Sequence, residues 1–255
     1  MTYATFHDLK DSSVFITGGG SGIGAALTDG FMAQGARVAF VQRSDATQFC
    51  DEMETKHGVR PLFIKCDVTD TPALQDAIAQ SAETHGTITT LVNNAAYDMR
   101  HPTQGFSPKE WADMIAVNLS AHFFTAQAVT PGMIETGGGA IINFSSISYM
   151  LANDGYHAYA SSKAGIIGLT RGLAREFGPH KIRVNALAPG WVLTERQMTE
   201  WASDDALKSH LEKQCLKEHL VEQDIVDATL FLASKTSRMM TGQTMVVDGG
   251  TAFTG

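Results

Sequence analysis

The sequence predicts an α/β fold in which helices cover both faces of one doubly wound parallel sheet of six to seven strands. Short apolar runs rich in valine, isoleucine and phenylalanine alternate with segments of helical periodicity along the whole chain. This alternation is typical of parallel strands joined by helices. The chain has 255 residues, 44% of them hydrophobic, and no repeat, low-complexity tract or linker divides it. We therefore expect residues 1–255 to form a single domain.

Strands and helices are expected in alternation. The predicted strands are short apolar runs that end at polar residues or glycines, at 14–17, 37–42, 61–65, 90–93, 139–144, 182–187 and 243–247. The predicted helices carry apolar residues three and four positions apart, at 25–32, 45–56, 72–84, 108–133, 156–177 and 226–232. The stretch 191–220 is polar, helix-prone and interrupted, and we interpret it as a lid-like insertion.

Composition argues against several classes of partner. The net charge is −8 and the pI is near 5.5, whereas nucleic acids and anionic membranes require clustered Lys and Arg. Cys50, Cys66 and Cys215 form no C-x-x-C pair and indicate reduced thiols. No apolar run approaches the length of a membrane span, and the histidines lack the paired spacing of metal ligands. We expect a soluble, cytoplasmic protein with small-molecule partners and no metal.

A glycine cluster follows the first predicted strand. The segment Thr17-Gly-Gly-Gly-Ser-Gly-Ile-Gly24 separates this strand from the first helix. Such a turn brings backbone N–H groups and the positive end of a helix to a pyrophosphate, and Gly24 would let the helix lie close to the strand. The spacing G-x-x-x-G-x-G differs from the usual dinucleotide fingerprint in the position of its first glycine. The context predicts a Rossmann fold that binds a dinucleotide.

The end of the second strand bears on which dinucleotide binds. An acidic residue there would bind the adenosine ribose and repel a 2′-phosphate, but this chain has Gln42 followed by Arg43. The guanidinium could pair with the 2′-phosphate of NADP, so NADP is slightly favoured over NAD. Alternatively, Arg43 stacks on the adenine or points into solvent. Asp67, after the third strand, could bind the adenine amino group or cap the next helix.

Polar residues also follow the fourth and fifth strands. Asn93 and Asn94 suit backbone anchoring beneath a ligand, and Ser145 and Ser146 lie at the sheet edge where open α/β sheets bind their ligands. Asn118 interrupts a long apolar helix. It is either a satisfied core amide, or it bends the helix and holds a water.

Tyr159 and Lys163 are four residues apart, so their side chains share one helix face. A nearby cation lowers the pKa of a phenol by about one to three units, which brings it within reach of general base catalysis. Alternatively, the pair lies on a solvated helix face without chemistry.

These motifs, in this order and spacing, resemble the short-chain dehydrogenase/reductase family over nearly the whole chain. The resemblance implies a catalytic tetrad. Tyr159 would act as acid and base, and Lys163 would lower its pKa and hold the nicotinamide ribose. Ser146, thirteen residues before Tyr159, would polarise the substrate oxygen, and Asn118 would hold a relay water. One departure is Ala96, where the family most often has glycine.

The resemblance also implies cofactor contacts and an assembly. Asp67 and Val68 would hold the adenine, and Val192 and Thr194 would meet the carboxamide. The implied cofactor-binding set is Gly18, Ser21, Gly22, Ile23, Gly24, Gln42, Arg43, Asp67, Val68, Asn94, Tyr159, Lys163, Pro189, Gly190, Val192 and Thr194. The family is usually homotetrameric, with helices at 108–133 and 156–177 forming the interface.

Within the family, the chain is most similar to bacterial dehydrogenases that oxidise pentoses at C1. The segments that carry this likeness are Asp98-Met-Arg-His101, Gln127-Ala-Val-Thr-Pro-Gly132, Ile141-Ile-Asn-Phe-Ser-Ser-Ile147 and Gln214-Cys-Leu-Lys217. Polar partners for a monosaccharide are expected at Asp98, Arg100, Ser146, Asn153, Asp154, His157 and Tyr159.

The sequence therefore predicts an NAD(P)-dependent oxidoreductase that transfers hydride between a sugar-like CH–OH, an aldose C1, and nicotinamide. An alternative is a ketoreductase of a sugar acid, an acyl thioester or a cyclic ketone. A non-catalytic dinucleotide sensor or scaffold is disfavoured, because it has no need for Tyr159, Lys163 and Ser146 together.

Overall fold

A computed structural model describes residues 4–151, 153–200 and 202–253. In this part of the chain seven strands form one sheet in the order β3-β2-β1-β4-β5-β6-β7, and all neighbouring strands are parallel. The strands are β1 (Ser13–Thr17), β2 (Arg37–Gln42), β3 (Leu62–Lys65), β4 (Thr90–Asn93), β5 (Gly139–Phe144), β6 (Ile182–Pro189) and β7 (Thr244–Val247). The predicted fold class, a doubly wound parallel sheet with helices, is confirmed.

The helices connect successive strands and cover both faces of the sheet. They are α1 (Gly22–Ala33), α2 (Thr47–His57), α3 (Thr71–His85), α4 (Pro108–Ile115), α5 (Ala121–Glu135), α6 (His157–Phe177), α7 (Glu195–Glu200), α8 (Asp204–Lys213) and α9 (Glu222–Ala233). None of these helices has the length and hydropathy that a membrane span requires. The described residues also contain no cluster of three or more potential metal ligands.

Both faces of the sheet are packed with apolar side chains. Ile16 of β1 packs on one face with Phe31 of α1, and its neighbour Phe15 packs on the other face with Leu74 of α3 and Met133 of α5. All five of these side chains are fully buried. Burying a large apolar side chain stabilises the folded state by about 1.5–3 kcal/mol. The apolar strand sequences are therefore explained by burial on both faces.

The predicted helix at 108–133 is divided in the structure. A π-helical turn, Ala116–Ser120, lies between α4 and α5. Asn118 lies in this turn, and its amide donates to the carbonyl of Met114 at 3.0 Å. A side chain that competes for a backbone carbonyl is a common cause of such an irregular turn. Periodicity alone does not detect it, because the apolar pattern continues on both sides.

Other element boundaries differ by a few residues. Strand β6 extends to Pro189 because Ala188 and Pro189 still pair with Val246 and Val247 of β7. Helix α9 starts at Glu222, earlier than the predicted 226, where Asp224 accepts the N–H of Val221 at 2.9 Å. The predicted lid consists of α7 and α8 with extended segments around them.

Strands β1 and β4 are neighbours, although two strands separate them along the chain. The hydroxyl oxygen of Thr17, at the end of β1, accepts the N–H groups of Asn94 and Ala95, each at 3.0 Å. This contact joins the carboxyl ends of the two strands. In open α/β sheets a crevice forms where the strand order reverses, and ligands bind there.

Candidate active site

A cavity of about 1600 Å³ lies along the carboxyl ends of the strands. It runs from the glycine turn after β1 to the lid formed by α7 and α8. Every predicted site residue except Asn118 and His157 lines it: Gly18, Ser21, Gly22, Ile23, Gly24, Gln42, Arg43, Asp67, Val68, Asn94, Asp98, Arg100, Ser146, Asn153, Asp154, Tyr159, Lys163, Pro189, Gly190, Val192 and Thr194. The sequence-based set is thus brought together in one cavity.

The glycine turn has a left-handed backbone, which favours glycine, at two points. Gly18 and Gly22 have φ angles of +71° and +50°. A Cβ atom on Gly24 would lie 1.7 Å from the carbonyl oxygen of Gly18, so α1 packs directly on the turn. The amide of Asn94 supports the turn by donating to the carbonyls of Thr17 and Gly18, at 3.0 and 3.1 Å. This is the backbone anchoring predicted for the amides after β4.

Gln42 is fixed against the same turn. Its side-chain oxygen accepts the N–H of Gly20 at 2.9 Å, and its amide donates to the backbone and hydroxyl oxygens of Ser44, each at 3.2 Å. A Cβ on Gly20 would lie 2.5 Å from this oxygen, which explains the third glycine of the turn. Gln42 therefore shapes the cavity where a carboxylate would stand in the usual fingerprint.

Arg43 lies at the mouth of the cavity. Its side chain is 74% exposed, and its guanidinium lies 3.9 Å from the carboxylate of Asp67. Asp67 does not cap helix α3; it accepts the N–H and hydroxyl of Thr69, and Asp70 caps the helix instead. Burial acts in the opposite direction, but the bonds from Thr69 and the charge of Arg43 hold the pKa of Asp67 below its ordinary value.

Asn118 lies behind the cavity wall and is fully buried. Its oxygen accepts the N–H of Tyr97 at 2.9 Å, and its amide donates to the carbonyls of Tyr97 and Met114. Of the two alternatives drawn from the sequence, the satisfied core amide describes the side chain, and the residue also lies in the π turn. Its role in holding a relay water stays a prediction.

Ser146, Tyr159 and Lys163 converge at the floor of the cavity. The Ser146 hydroxyl faces the Tyr159 phenol and acts to lower its pKa. The Lys163 ammonium lies 5.4 Å from the centre of the Tyr159 ring and donates to the carbonyl of Phe144 at 2.8 Å. Lys163 is only 1% exposed, so the alternative of a solvated helix face is wrong. Ser145 instead donates to the carbonyl of Lys163, which leaves Ser146 facing the phenol.

The electrostatics differ from the sequence-based expectation for the phenol. Burial raises the pKa of Tyr159 well above its ordinary value, and Asp98 acts in the same direction. The hydroxyl of Ser146 and the charge of Arg196 act to lower it. Burial also lowers the pKa of Lys163 to about 7, opposed by Asp98. The expected lowering of the Tyr159 pKa is not found, because burial of the phenol outweighs the effects of Ser146 and Arg196, which favour the phenolate.

The lid contributes residues that sequence reasoning missed. Arg196 and Gln197 of α7 contact Asp98, at 3.0 and 3.4 Å, and the indole of Trp191 donates to Gln197 at 2.8 Å. One face of α8 also lines the cavity: Ala206, Ser209, His210 and Lys213. The spacing of three and four residues on this face was a usable signal, whereas Trp191, Arg196 and Gln197 belong to no motif.

The predicted substrate residues lie in different surroundings. Asp98 faces the lid, whereas the Arg100 guanidinium donates to the hydroxyl of Tyr156 at 2.9 Å. Asn153 and Asp154 are exposed on the rim. His157, which the sequence also suggested as a sugar partner, does not line the cavity, and its ring packs edge-on against His101.

Comparison with known proteins fits this geometry. Residues 18–252 match the family described as enoyl-(acyl carrier protein) reductase. A solved double mutant of a Serratia marcescens short-chain dehydrogenase/reductase has a TM-score of 0.88 and 31% identity, and the match covers 97% of this chain and 100% of that one. The chain belongs to the short-chain dehydrogenase/reductase family. The family resemblance drawn from the motifs is confirmed.

Two curated relatives are similar to this dehydrogenase along nearly their whole length. A Rhizobium meliloti protein named "Probable galactose dehydrogenase GalD" is 45% identical over 247 residues, 96% of each chain. D-xylose 1-dehydrogenase of Caulobacter vibrioides is 41% identical over 251 residues, 98% of this chain and 99% of that protein. The protein is therefore an oxidoreductase that acts on CH–OH donors, in a family that uses nicotinamide cofactors.

Proposed function

We propose that this enzyme oxidises an aldose, with a pentose favoured, at C1 and passes the hydride to a nicotinamide dinucleotide. The observation that carries the proposal is the convergence of Ser146, Tyr159 and Lys163 at the floor of a cavity that begins at the glycine turn. The names of two relatives, a galactose dehydrogenase and a xylose dehydrogenase, support a monosaccharide as substrate.

The residues of the crevice fit a dinucleotide. The turn from Gly18 to Gly24 exposes backbone where side chains would block approach, and the first turn of α1 faces the same space. Ser21, Ile23 and Asn94 would hold the pyrophosphate region, and Asp67 and Val68 the adenine. Pro189, Gly190, Val192 and Thr194 would hold the nicotinamide end. When bound, the nicotinamide supplies a hydride acceptor.

Side chains of the protein, not the cofactor, would carry out the proton transfer. Tyr159 in its phenolate form would take the proton from the substrate hydroxyl while Ser146 holds that oxygen. The carbinol C–H bond breaks with its electron pair leaving as hydride, a C=O bond forms, and a cyclic aldose becomes a lactone. Lys163 favours the phenolate when it is protonated. Because burial raises the pKa of Tyr159, we expect oxidation to accelerate as the pH rises.

The walls of the cavity support a polyhydroxylated substrate. Asp98, Arg196 and Gln197 present a carboxylate, a guanidinium and an amide on one side, and Asn153 and Asp154 lie on the rim. An acyl chain would require an apolar wall, whereas these groups hydrogen-bond hydroxyls. We assign Asp98, Arg100, Ser146, Asn153, Asp154 and Tyr159 to substrate binding.

A slight preference for NADP over NAD follows from the end of β2. Gln42 is held in place by Gly20 and Ser44. Because its side chain is neutral, it does not repel a 2′-phosphate as a carboxylate would. The exposed guanidinium of Arg43 would pair with that phosphate in a charge-assisted bond. Both cofactors fit the remaining contacts, so the preference depends on Arg43.

We also propose that the single domain assembles as a homotetramer through α4, α5 and α6. Trp111 on α4 and Phe123 on α5 are each 42% exposed, which supports a covered face. Residues 191–220 would act as a lid over the substrate. A cytoplasmic location stays a prediction.

Absorbance of the reduced nicotinamide tests the proposal. The purified enzyme is assayed with NAD and NADP separately against aldoses, polyols and sugar acids, and then in reverse with keto esters. We expect turnover of an aldose with NADP, and formation of a lactone. Inertness toward every sugar together with reduction of a keto ester would overturn the sugar assignment in favour of a ketoreductase.

A further inference from the structure

His101 is a nearly buried histidine at the entrance of the catalytic helix α6. Its side chain is outside the cavity lining, and the residue is only 7% exposed. Its backbone N–H donates to the carbonyl of Gly155 at 2.9 Å, and its Nε2 lies 3.3 Å from the backbone nitrogen of Ala158. His101 therefore contacts the two sides of the point where α6 begins.

The first turn of α6 depends on an external acceptor. Tyr156, the residue before the helix, makes no capping bond with its side chain, and the first N–H groups of a helix have no partner within it. Ala158 is fully buried, so solvent does not supply one. The imidazole Nε2 of His101 accepts this N–H and so caps the helix from a distant segment.

Two further contacts fix the ring for this purpose. An accepting Nε2 requires the proton on Nδ1, and Nδ1 lies 3.2 Å from the carbonyl of Pro102, a suitable acceptor. Phe106 stacks on the ring with 3.7 Å between centroids and an interplanar angle of 11°. The tautomer and the plane of the imidazole are thus both set by neighbours.

The segment that ends at His101 begins at Tyr97, whose backbone is held by Asn118. Both the N–H and the carbonyl of Tyr97 are bonded by the Asn118 side chain at 2.9 Å. At the other end of the segment, His101 bonds Ala158, the residue immediately before Tyr159. The short segment 97–101 therefore links the π turn of Asn118 to the helix turn that carries the phenol.

We propose that His101 is a positioning residue that holds Tyr159 in register with Ser146 by capping the first turn of α6 through its neutral imidazole. The inference rests on the proposed acid and base role of Tyr159. An uncapped first turn would fray, and small displacements of a reacting group reduce turnover strongly.

Replacement of His101 by a residue that keeps a hydrogen-bond acceptor separates the capping of α6 from the packing of the side chain.

Two variants test the proposal. His101→Gln retains an acceptor at the position of Nε2, and His101→Leu has similar size without an acceptor. His180→Leu, at an exposed site beyond the other end of α6, is the control. For the aldose that turns over fastest, we expect His101→Leu to lower kcat about tenfold or more with little change in the KM for the cofactor, and His101→Gln to restore most of kcat.

Hydrogen exchange gives a readout that does not need activity. Peptides that cover 156–162 should exchange faster in His101→Leu than in the wild type or His101→Gln, with His180→Leu unchanged. Where His101→Leu does not accumulate as folded protein, His101→Gln still tests the cap, because its acceptor should keep kcat and exchange at 156–162 near the wild-type values.

Several outcomes would overturn the capping role. They are a wild-type kcat in His101→Leu, unchanged exchange at 156–162 in His101→Leu, or an equal loss of kcat in His101→Gln and His101→Leu. Failure of the proposed function is distinguishable, because a wild-type enzyme inert toward sugars would leave the exchange result intact.

Discussion

Asp98 and Arg196 form an ion pair with 3.0 Å between carboxylate oxygen and guanidinium nitrogen, and it joins the segment after β4 to the first lid helix. Both charges act on Tyr159, in opposite directions: Asp98 raises the pKa of the phenol and Arg196 lowers it. The lid therefore acts on the phenol that we propose as acid and base through a charge pair.

Neutralising Asp98 should move the pH profile. In Asp98→Asn the phenol loses a neighbouring negative charge while Arg196 stays, so its pKa falls and the phenolate forms at lower pH. We expect the rising limb of kcat for sugar oxidation to shift by about one unit toward acid. Asp76→Asn, at an exposed position of α3 outside the cavity lining, serves as the control for the position of this limb. If the rising limb of the kcat profile stays at the same pH in Asp98→Asn, the proposed effect of Asp98 on the Tyr159 pKa is contradicted.

Removing the phenol hydroxyl should abolish chemistry and spare binding. For Tyr159→Phe we expect kcat to fall by about 10³-fold or more, because the proton acceptor is lost, with the Kd of the cofactor unchanged by fluorescence titration. Tyr149→Phe, outside the cavity lining, should keep wild-type kcat. A Tyr159→Phe enzyme that retains most of its activity would contradict the acid and base role proposed for Tyr159.

Lys163 should make stability depend on pH. Burial lowers its pKa from 10.5 to about 7, so between these values the unfolded chain binds a proton that the folded chain does not. Stability then increases as the pH rises from about 7 to about 10. In Lys163→Met this increase should shrink, with turnover lost. Thermal unfolding of both proteins across that range measures the difference, and parallel curves would refute it.

Arg43 should discriminate between the two dinucleotides. A charge-assisted bond to a 2′-phosphate contributes about 1.5–3 kcal/mol, so Arg43→Ala should raise the KM for NADP by about ten- to a hundredfold. The KM for NAD should change less than about twofold. Arg60→Ala removes a guanidinium bound to Asp51 and Glu54 and is the matched control. Equal effects on both cofactors would mean that Arg43 reads no phosphate.

Gly24 should tolerate no side chain. Because a Cβ there would lie 1.7 Å from a backbone oxygen, Gly24→Ala must displace α1 or the turn. We expect a loss of about 3 kcal/mol in the free energy of unfolding and weaker dinucleotide binding. Gly178→Ala, where no atom lies within 4 Å of the new carbon, should cost little. Urea denaturation compares the two, and similar midpoints would contradict the close contact.

Local chemistry explains how much the sequence could predict. The runs 37–42, 90–93 and 139–144 match β2, β4 and β5 at both ends. Strands that are buried on both faces have nearly continuous apolar sequences, which are easy to delimit. The role of Gly24 could also be predicted, because a glycine between a strand and a helix usually allows the two to pack closely. Ser146 was separable from Ser145 by its interval to Tyr159, although nothing local distinguishes the two hydroxyls.

The remainder depends on contacts between distant segments. Arg196 and Gln197 contact Asp98 only because the lid folds over the segment after β4, and no spacing encodes that. Similarly, burial decides the direction of the Tyr159 pKa, and a four-residue interval between Tyr159 and Lys163 does not report how far the phenol is removed from solvent. The bonds between Asn118 and Tyr97 join residues twenty-one positions apart.

The adjacency of β1 and β4 has a consequence for how such a gene could be recombined. Gln42, Arg43 and Asp67 all precede the turn at Gly86, and Ser146, Tyr159 and Lys163 all follow it. A single crossover in that turn would exchange the residues that we propose to select the adenosine end of the cofactor, and it would leave the proposed reacting groups unchanged. Because Thr17 bonds the backbone of Asn94 and Ala95, its hydroxyl is one contact that a hybrid must preserve. Under the proposed function, coenzyme choice and sugar choice would therefore be traits that evolution or protein engineering can change separately.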